Sequence, residues 1–477
     1  MIKWAADALA DILQQNSWVG ELAGILPLSA LIDFIDTPAK LHIFQLAGAA
    51  PLWSWPVTPA GSRLLLSDDA VLRRSCYLDR YGFSVPLIGL DGRFGASYAV
   101  ANPETVRLCL GSLPISVVDN PHENMKGDDL RIQSLEVIHV SRLLEAPNGG
   151  GGASSSWLRY VFMDPWRMYS ARYLATSVLG WILWTASISV AIFLGTYISL
   201  AFLVAVPATG GVIFILYGSN PRRLLVSKPG TSRANRLILV AEHMNSTHWT
   251  AFYGESILVN SLLNRPIEPS GPRLPPAARP VLHGVLRVLI LGQWAMALAA
   301  AATKDWNSYL LCFWVAFCIF AHAYVIPVGS LAGNWATSFA GIRMERYQTT
   351  LSSRRTMLNT ILALNPDTFA LDSGSSSNNN NNNNNKQEIQ TSFDAEALRW
   401  IDPILERGVL RTRWEQASLK AMQESQNNDK MESLLPGPSS EWLGEYGNDY
   451  WAPFVFEGIQ MAARIKQIAG LQNRFVP

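Results

Sequence analysis

Between Arg172 and Arg222 the chain runs for 49 residues without an aspartate, glutamate, lysine or arginine. A helix rises about 1.5 Å per residue and a hydrocarbon core is about 30 Å thick, so one crossing needs only about 20 residues. The stretch therefore holds two crossings and a tight turn. We place them at Tyr173–Phe193 and Tyr197–Tyr217, with Gly195 and Thr196 in the turn and Pro207, Gly210 and Gly211 kinking the second. Neighbouring helices in a bundle satisfy the backbone groups that such kinks free. Composition agrees: 16% of residues are charged, against about 25% in soluble proteins. The 17 tryptophans suit membrane–water interfaces, where an amphipathic ring meets both phases.

A second apolar pair runs Val281–Ala302 and Tyr309–Leu331, joined by the polar link Thr303–Ser308. Basic residues set the orientation. Arg159, Arg167 and Arg172 precede the first span, Arg222, Arg223, Lys228, Arg233 and Arg236 follow the second, and Arg343, Arg346, Arg354 and Arg355 follow the fourth, whereas the hairpin turns hold only Lys304. Cytosolic ends of spans carry the lysine and arginine excess. All the large segments, and both termini, are thus expected in the cytosol, and the sequon Asn245-Ser246-Thr247 on the side where it is not glycosylated. The expected fold class is a membrane all-α protein, four transmembrane helices as two hairpins, with a cytosolic α+β N-terminal region and a helical C-terminal tail.

The chain divides accordingly into a cytosolic α+β region (1–147), a Gly/Ser linker (148–156), a first transmembrane hairpin (157–221), a cytosolic central loop (222–280) and a second hairpin (281–335). A cytosolic helical segment (336–372), an Asn/Ser-rich disordered linker (373–390) and a cytosolic helical tail (391–477) follow. In the first region an apolar helix is expected at Trp4–Leu13, a hairpin at Val85–Leu90 and Arg93–Val100 about Asp91-Gly92, and a strand at Ile132–Val140. The apolar stretch from Gly20 to about Pro51 is broken by Pro27, Asp33, Asp36, Pro38 and Lys40 and is not counted as a span. Tail helices are expected at Asp394–Glu406, Arg411–Glu424 and Phe454–Ile468. Trp400, Trp414, Leu398, Ile401, Leu405 and Leu410 either pack together there or dock on the membrane or the central loop.

Several classes are excluded. A net charge of +1 lacks the basic surplus of a nucleic-acid binder, and the apolar fraction of 49% excludes a disordered chain. Cys76, Cys109, Cys312 and Cys318 show no CxxC or disulfide spacing and read as reduced packing residues. The N-terminus lacks the basic-then-apolar order of a signal peptide. Gly89, Gly92 and Gly95 have GxxGxxG spacing followed by a strand rather than a helix, which is not a phosphate cradle. P-loop, HExxH, GxSxG and EF-hand patterns do not occur.

Two groups are candidate sites. In the central loop Glu242, His243 and His248 combine carboxylate and imidazole, the ligands of zinc or of acid–base chemistry, if a turn near Asn245-Ser246 brings them together. The competing reading is a β-hairpin followed by a helix at Ser256–Leu263, with the histidines on its polar rim. In the spans, His283 and Arg287 share a helix face and His322 lies on the neighbouring helix; ionisable groups within a membrane are candidates for proton or anion transport. Gly329 and Gly333 form a GxxxG that permits close helix packing.

Leu237–Pro266, with its ending Tyr-Gly-Glu-Ser-Ile-Leu-Val-Asn-Ser-Leu-Leu-Asn-Arg-Pro, Ala300–Trp314, with Thr-Lys-Asp-Trp-Asn-Ser-Tyr, and Arg411–Met422, with Arg-Thr-Arg-Trp-Glu-Gln-Ala, together resemble a group of uncharacterised multi-pass integral membrane proteins of filamentous fungi. The resemblance implies a fungal source and a membrane address and carries no activity. The expected function is a non-enzymatic scaffold or regulatory protein. The alternatives are a small-solute or proton transporter using His283, Arg287 and His322, and a membrane-bound metal enzyme about His243 and His248. No cofactor and no nucleic-acid partner is expected; the partners are the lipid bilayer and proteins bound by the cytosolic tail.

Overall fold

The computed structural model describes residues 11, 15–29, 37–48, 50–58, 62, 65–66, 76–82, 85–121, 132–143, 171–218, 222–224, 235–269, 275, 277–326, 328–366, 368, 398–402, 405–426, 439–449 and 451–471. Both linkers, most of the opening helix and the start of the helix expected at Asp394–Glu406 lie outside them.

Seven strands form one mixed sheet among these residues: β1 Ile88–Asp91, β2 Ser97–Ala99, β3 Ile115–Val117, β4 Gln133–Arg142, β5 Asn235–Ala241, β6 His248–Glu255 and β7 Ile342–Leu351. Their order is β2-β1-β5-β6-β4-β7-β3. At the centre β4 runs parallel to β6, Ser134 opposite His248, and antiparallel to β7, Gln133 opposite Leu351. The regions separated in sequence thus meet: β1–β4 precede the first apolar hairpin, β5 and β6 lie between the hairpins, and β7 follows the second. Leu237–Ala241 is apolar on both faces and wholly buried, the pattern of a strand covered on both sides.

The helices are α1 Ser17–Ser29, α2 Thr37–Ala47, α3 Tyr77–Tyr81, α4 Pro103–Gly111, α5 Ala171–Leu194, α6 Tyr197–Ile213, α7 Ser256–Leu263, α8 Ala278–Thr303, α9 Trp306–Phe320, α10 Val328–Ser338, α11 Arg354–Leu364, α12 Val409–Gln426, α13 Ser440–Tyr446 and α14 Ala452–Ala469. One sheet face, with Leu135, Val137, Leu239 and Tyr253, packs on Met357 and Ile361 of α11, Trp414 of α12, Trp442 of α13 and Ile459 of α14. The other, with Ile138, Val140, Ile238 and Phe252, packs on Leu46 of α2, Val106 of α4, Leu262 of α7 and Trp335 of α10. The tail therefore docks on the sheet, and Trp400 and Ile401 are buried in the same core.

Four helices are long and apolar enough to cross a membrane by length and composition: Ala171–Leu194, Tyr197–Gly218, Ala278–Thr303 and Trp306–Val325. Their connections are well capped. Gly195 takes the left-handed φ of +65° in the first turn; in the second, Lys304 is left-handed and the Asp305 carboxylate accepts from Asn307 N. The fourth helix is shorter than expected. It ends in a π turn at Ala321–Val325, and Ile326, with φ −125° and ψ 64°, leaves the helix ahead of Pro327, because proline forces the residue before it out of the helical region. Gly329 and Gly333 thus fall on the separate helix α10, where a Cβ on Gly333 would lie 2.9 Å from Ser112 Oγ. They seat α10 against the end of α4, within the chain. The β1–β2 turn also differs: the left-handed residue is Gly95, φ +68°, and the Asp91 carboxylate accepts from Arg93 N.

Candidate functional site

The feature that stands out is a largely irregular segment, Pro51–Thr58, with one 3-10 turn at Leu52–Ser54, wedged among the four long helices and buried except at Leu52. A backbone without helix or sheet partners must find hydrogen bonds elsewhere when it is buried. Gln293 of α8 provides them. Its Oε1 accepts from Val57 N at 3.0 Å, and its Nε2 donates to Trp55 O at 3.4 Å and to Thr209 Oγ1 of α6 at 2.8 Å. Trp294 Nε1 donates to Val57 O at 3.0 Å. Trp53 is the anchor. Its indole donates to Ser177 O of α5 at 3.1 Å and its ring meets Trp314 edge-on at 6.0 Å. It lies against Gly180, where an added Cβ would overlap the indole.

A small polar cluster sits where this wedge meets α2 and α9. Lys40 Nζ donates to Ser54 O and lies 4.1 Å from the centroid of the Trp55 ring. Ser54 Oγ donates to Pro51 O at 2.6 Å, so its other contact, His322 Nε2 at 3.2 Å, is the donor and sets the His322 tautomer. Beside the wedge, Val57, Phe202, Gln293, Leu311 and Val315 line a cavity of about 10 Å³, on the scale of one water.

Two residues further along α2, ligand atoms of His42, Cys76 and Asp79 lie within 4.8 Å of one another, the sole such trio among the described residues. Protein hydrogen bonds already use His42 and Asp79. His42 Nδ1 accepts from Leu78 N at 3.1 Å, so Nε2 carries the proton and donates to Thr105 Oγ1, whose hydroxyl donates to Asp79 Oδ2 at 2.7 Å. Asp79 Oδ1 accepts from Glu104 N and Thr105 N. Burial raises Cys76 to about 12, which keeps the sulfur a thiol. The trio ties α2 and α3 to the first turn of α4.

The residues singled out from sequence do not converge. Residues 242–247 form the turn of the β5–β6 hairpin, which α7 follows at Ser256–Leu263. His243 is exposed there. Glu242 lies 3.6 Å from Arg107, and His248 Nε2 lies 3.4 Å from Glu136 Oε1. His283 is edge-on to Tyr217, and Arg287 Nη2 donates to Leu66 O at 3.2 Å. Of the membrane candidates only His322 joins the wedge cluster. Lys40, Ser54 and Gln293 were missed. The legible signal was a lysine inside an apolar run followed by Trp-Ser-Trp-Pro, and ionisable residues in such runs mark sites. Comparison with models of protein families, with curated proteins and with solved structures finds no match to this chain.

Proposed function

We propose that the four long helices span a bilayer with the sheet domain on the cytosolic side, and that the protein serves there as a non-enzymatic scaffold or regulatory platform. One observation supports the spans above all others. The most apolar windows of these helices are only 17, 44, 28 and 33% buried within the protein, leaving Ile182, Ile192, Leu291 and Phe313 facing outward. An apolar surface of that extent is stable only against lipid or another protein. Arg222, Arg343, Arg346, Arg354 and Arg355 all follow helix ends on the sheet side, which supports the orientation. The same reading agrees with the resemblance to fungal multi-pass membrane proteins.

The platform reading rests on the interleaving of strands with hairpins. Because the sheet takes strands from before, between and after the two hairpins, domain and bundle move as one body, and the tail helices form its outer layer for protein partners. The Lys40–Ser54–His322 cluster favours a second reading, transport of protons or small anions. Purified protein in liposomes separates the two. The platform reading expects no proton or anion flux above protein-free liposomes, in wild type, Lys40→Gln and His322→Ala alike. Wild-type flux that both substitutions abolish would overturn it in favour of transport.

A further inference from the structure

We infer that the N-terminal segment makes a fifth crossing of the bilayer, so that the residues ahead of Ser17 lie on the side opposite the sheet domain. This rests on the reading of the four long helices as spans, and it reverses the expectation that both termini are cytosolic.

The two ends of the segment touch opposite ends of the bundle. Helix α1 packs at the turn of the second hairpin: a Cβ on Gly24 would lie 3.2 Å from Lys304 Cε and 3.6 Å from Ala301 O. Tyr309, three residues into α9, donates its hydroxyl to Val19 O at 2.8 Å. Ala301 is the 24th residue of α8, so at about 1.5 Å per residue this contact lies about 35 Å along the helix from its sheet-side end. Helix α2, by contrast, is built into the sheet domain. Leu46 O accepts from Arg222 N at 2.9 Å, Gln45 Oε1 accepts from Tyr77 N at 2.8 Å, and His42 bonds Thr105 of α4. Between Ser17 and Ala47 the chain therefore passes from one end of the bundle to the other, a distance of about one hydrocarbon core.

The surface of α1 is suited to lipid on that route. Val19, Ala23 and Pro27 are buried against the bundle, while Trp18 (65% exposed), Leu22, Ile25 (64%) and Leu28 form one outward stripe at helical spacing. This stripe continues the outward apolar surface of α8 and α9, which includes Leu298 and Phe313, and its occupant is acyl chain of the non-cytosolic leaflet. Charge agrees. The first 16 residues hold one lysine, Lys3, and two aspartates, Asp7 and Asp11, and a segment poor in basic residues is the kind that is translocated. The crossing escapes a length criterion because α1 has 13 residues and α2 has 11.

The test attaches a glycosylation-sequon tag ahead of Met1 of the full chain, expressed with microsomes, beside chains carrying the tag after Pro477 or a sequon loop inserted at Lys304-Asp305. The expected result is one added glycan on the N-tagged chain and on the loop chain, and none on the C-tagged chain or at native Asn245. Modification of the loop chain without the N-tagged chain would overturn the fifth crossing and leave the four spans standing. Absence of glycan from every chain, with release of the protein by alkaline carbonate, would remove the spans and the inference together.

Discussion

Gly180→Val is expected to drive Trp53 out of the bundle and destabilise the protein as much as losing that tryptophan altogether. A Cβ at position 180 would overlap the Trp53 indole, and neither partner can give way. The ring is held on its other sides by Trp314 and Phe317, at 6.0 and 5.3 Å between centroids, and by its hydrogen bond to Ser177 O. Loss of a buried tryptophan costs about 3–5 kcal/mol in well-packed cores. Thermal unfolding in detergent micelles should show a similar large drop in Tm for Gly180→Val and Trp53→Ala. The double variant should be little worse than either single one, because both remove the same contact. Additive losses would mean that Gly180 and Trp53 act separately.

Glu136→Ala should be nearly as damaging, through charge rather than shape. Glu136 is 3% exposed and accepts from Arg346 Nη2 at 2.5 Å and Nε at 3.1 Å, while His248 approaches at 3.4 Å. Removing one partner of a buried pair leaves the other charge uncompensated, at a cost of about 3–5 kcal/mol. Arg346 also donates to Leu110 O of α4 at 3.1 Å, so the loss should loosen α4 from the sheet. Glu136→Ala with Arg346→Met should recover much of the Tm, because no orphan charge remains. The pH dependence adds a second signature. Burial alone would raise Glu136, but hydrogen bonds from His248 and Arg346 outweigh it and hold the carboxyl below 4.5. His248 is raised above 6.5 chiefly by its hydrogen bond to Glu136. A raised histidine stabilises below 6.5 and loses that contribution as pH climbs through its folded value; a lowered glutamate stabilises above 4.5 and loses it as pH falls. The pair therefore contributes most between pH 4.5 and 6.5, and that maximum in Tm should flatten in Glu136→Ala.

The long helices and the β5–β6–α7 unit were legible because each is encoded locally. An uncharged run with one glycine turn can hardly be anything but a helical hairpin, and Leu237–Leu263 carries a strand, a turn, a strand and a helix in immediate succession. The wedge was not legible, because beyond one short turn at Pro51–Ser54 nothing local stabilises Pro51–Thr58. It is held by Gln293, 236 residues from Val57, and by Gly180 and Gly210, which give it room. The pairing of β4 with β6 and β7 was hidden for the same reason, since an apolar hairpin separates each partner from β4. The partner of His248 was not legible, because Glu136, the carboxylate it faces, lies on a distant strand. The GxxxG was read as part of a span because the apolar run continues past Pro327, and only the backbone restriction at Ile326 ends the fourth helix early.

The central claim, that the outward faces of the four long helices meet lipid while the sheet domain meets water, is tested most directly by nitroxide labels on single cysteines in a background lacking the four native ones. With protein in bilayers, labels at Ile182, Leu291 and Phe313 should relax more with oxygen, which concentrates in the hydrocarbon, than with a water-soluble nickel chelate. A label at Val409, 85% exposed on the tail, should show the reverse. Preferential relaxation by the nickel chelate at Ile182, Leu291 and Phe313 would contradict the account.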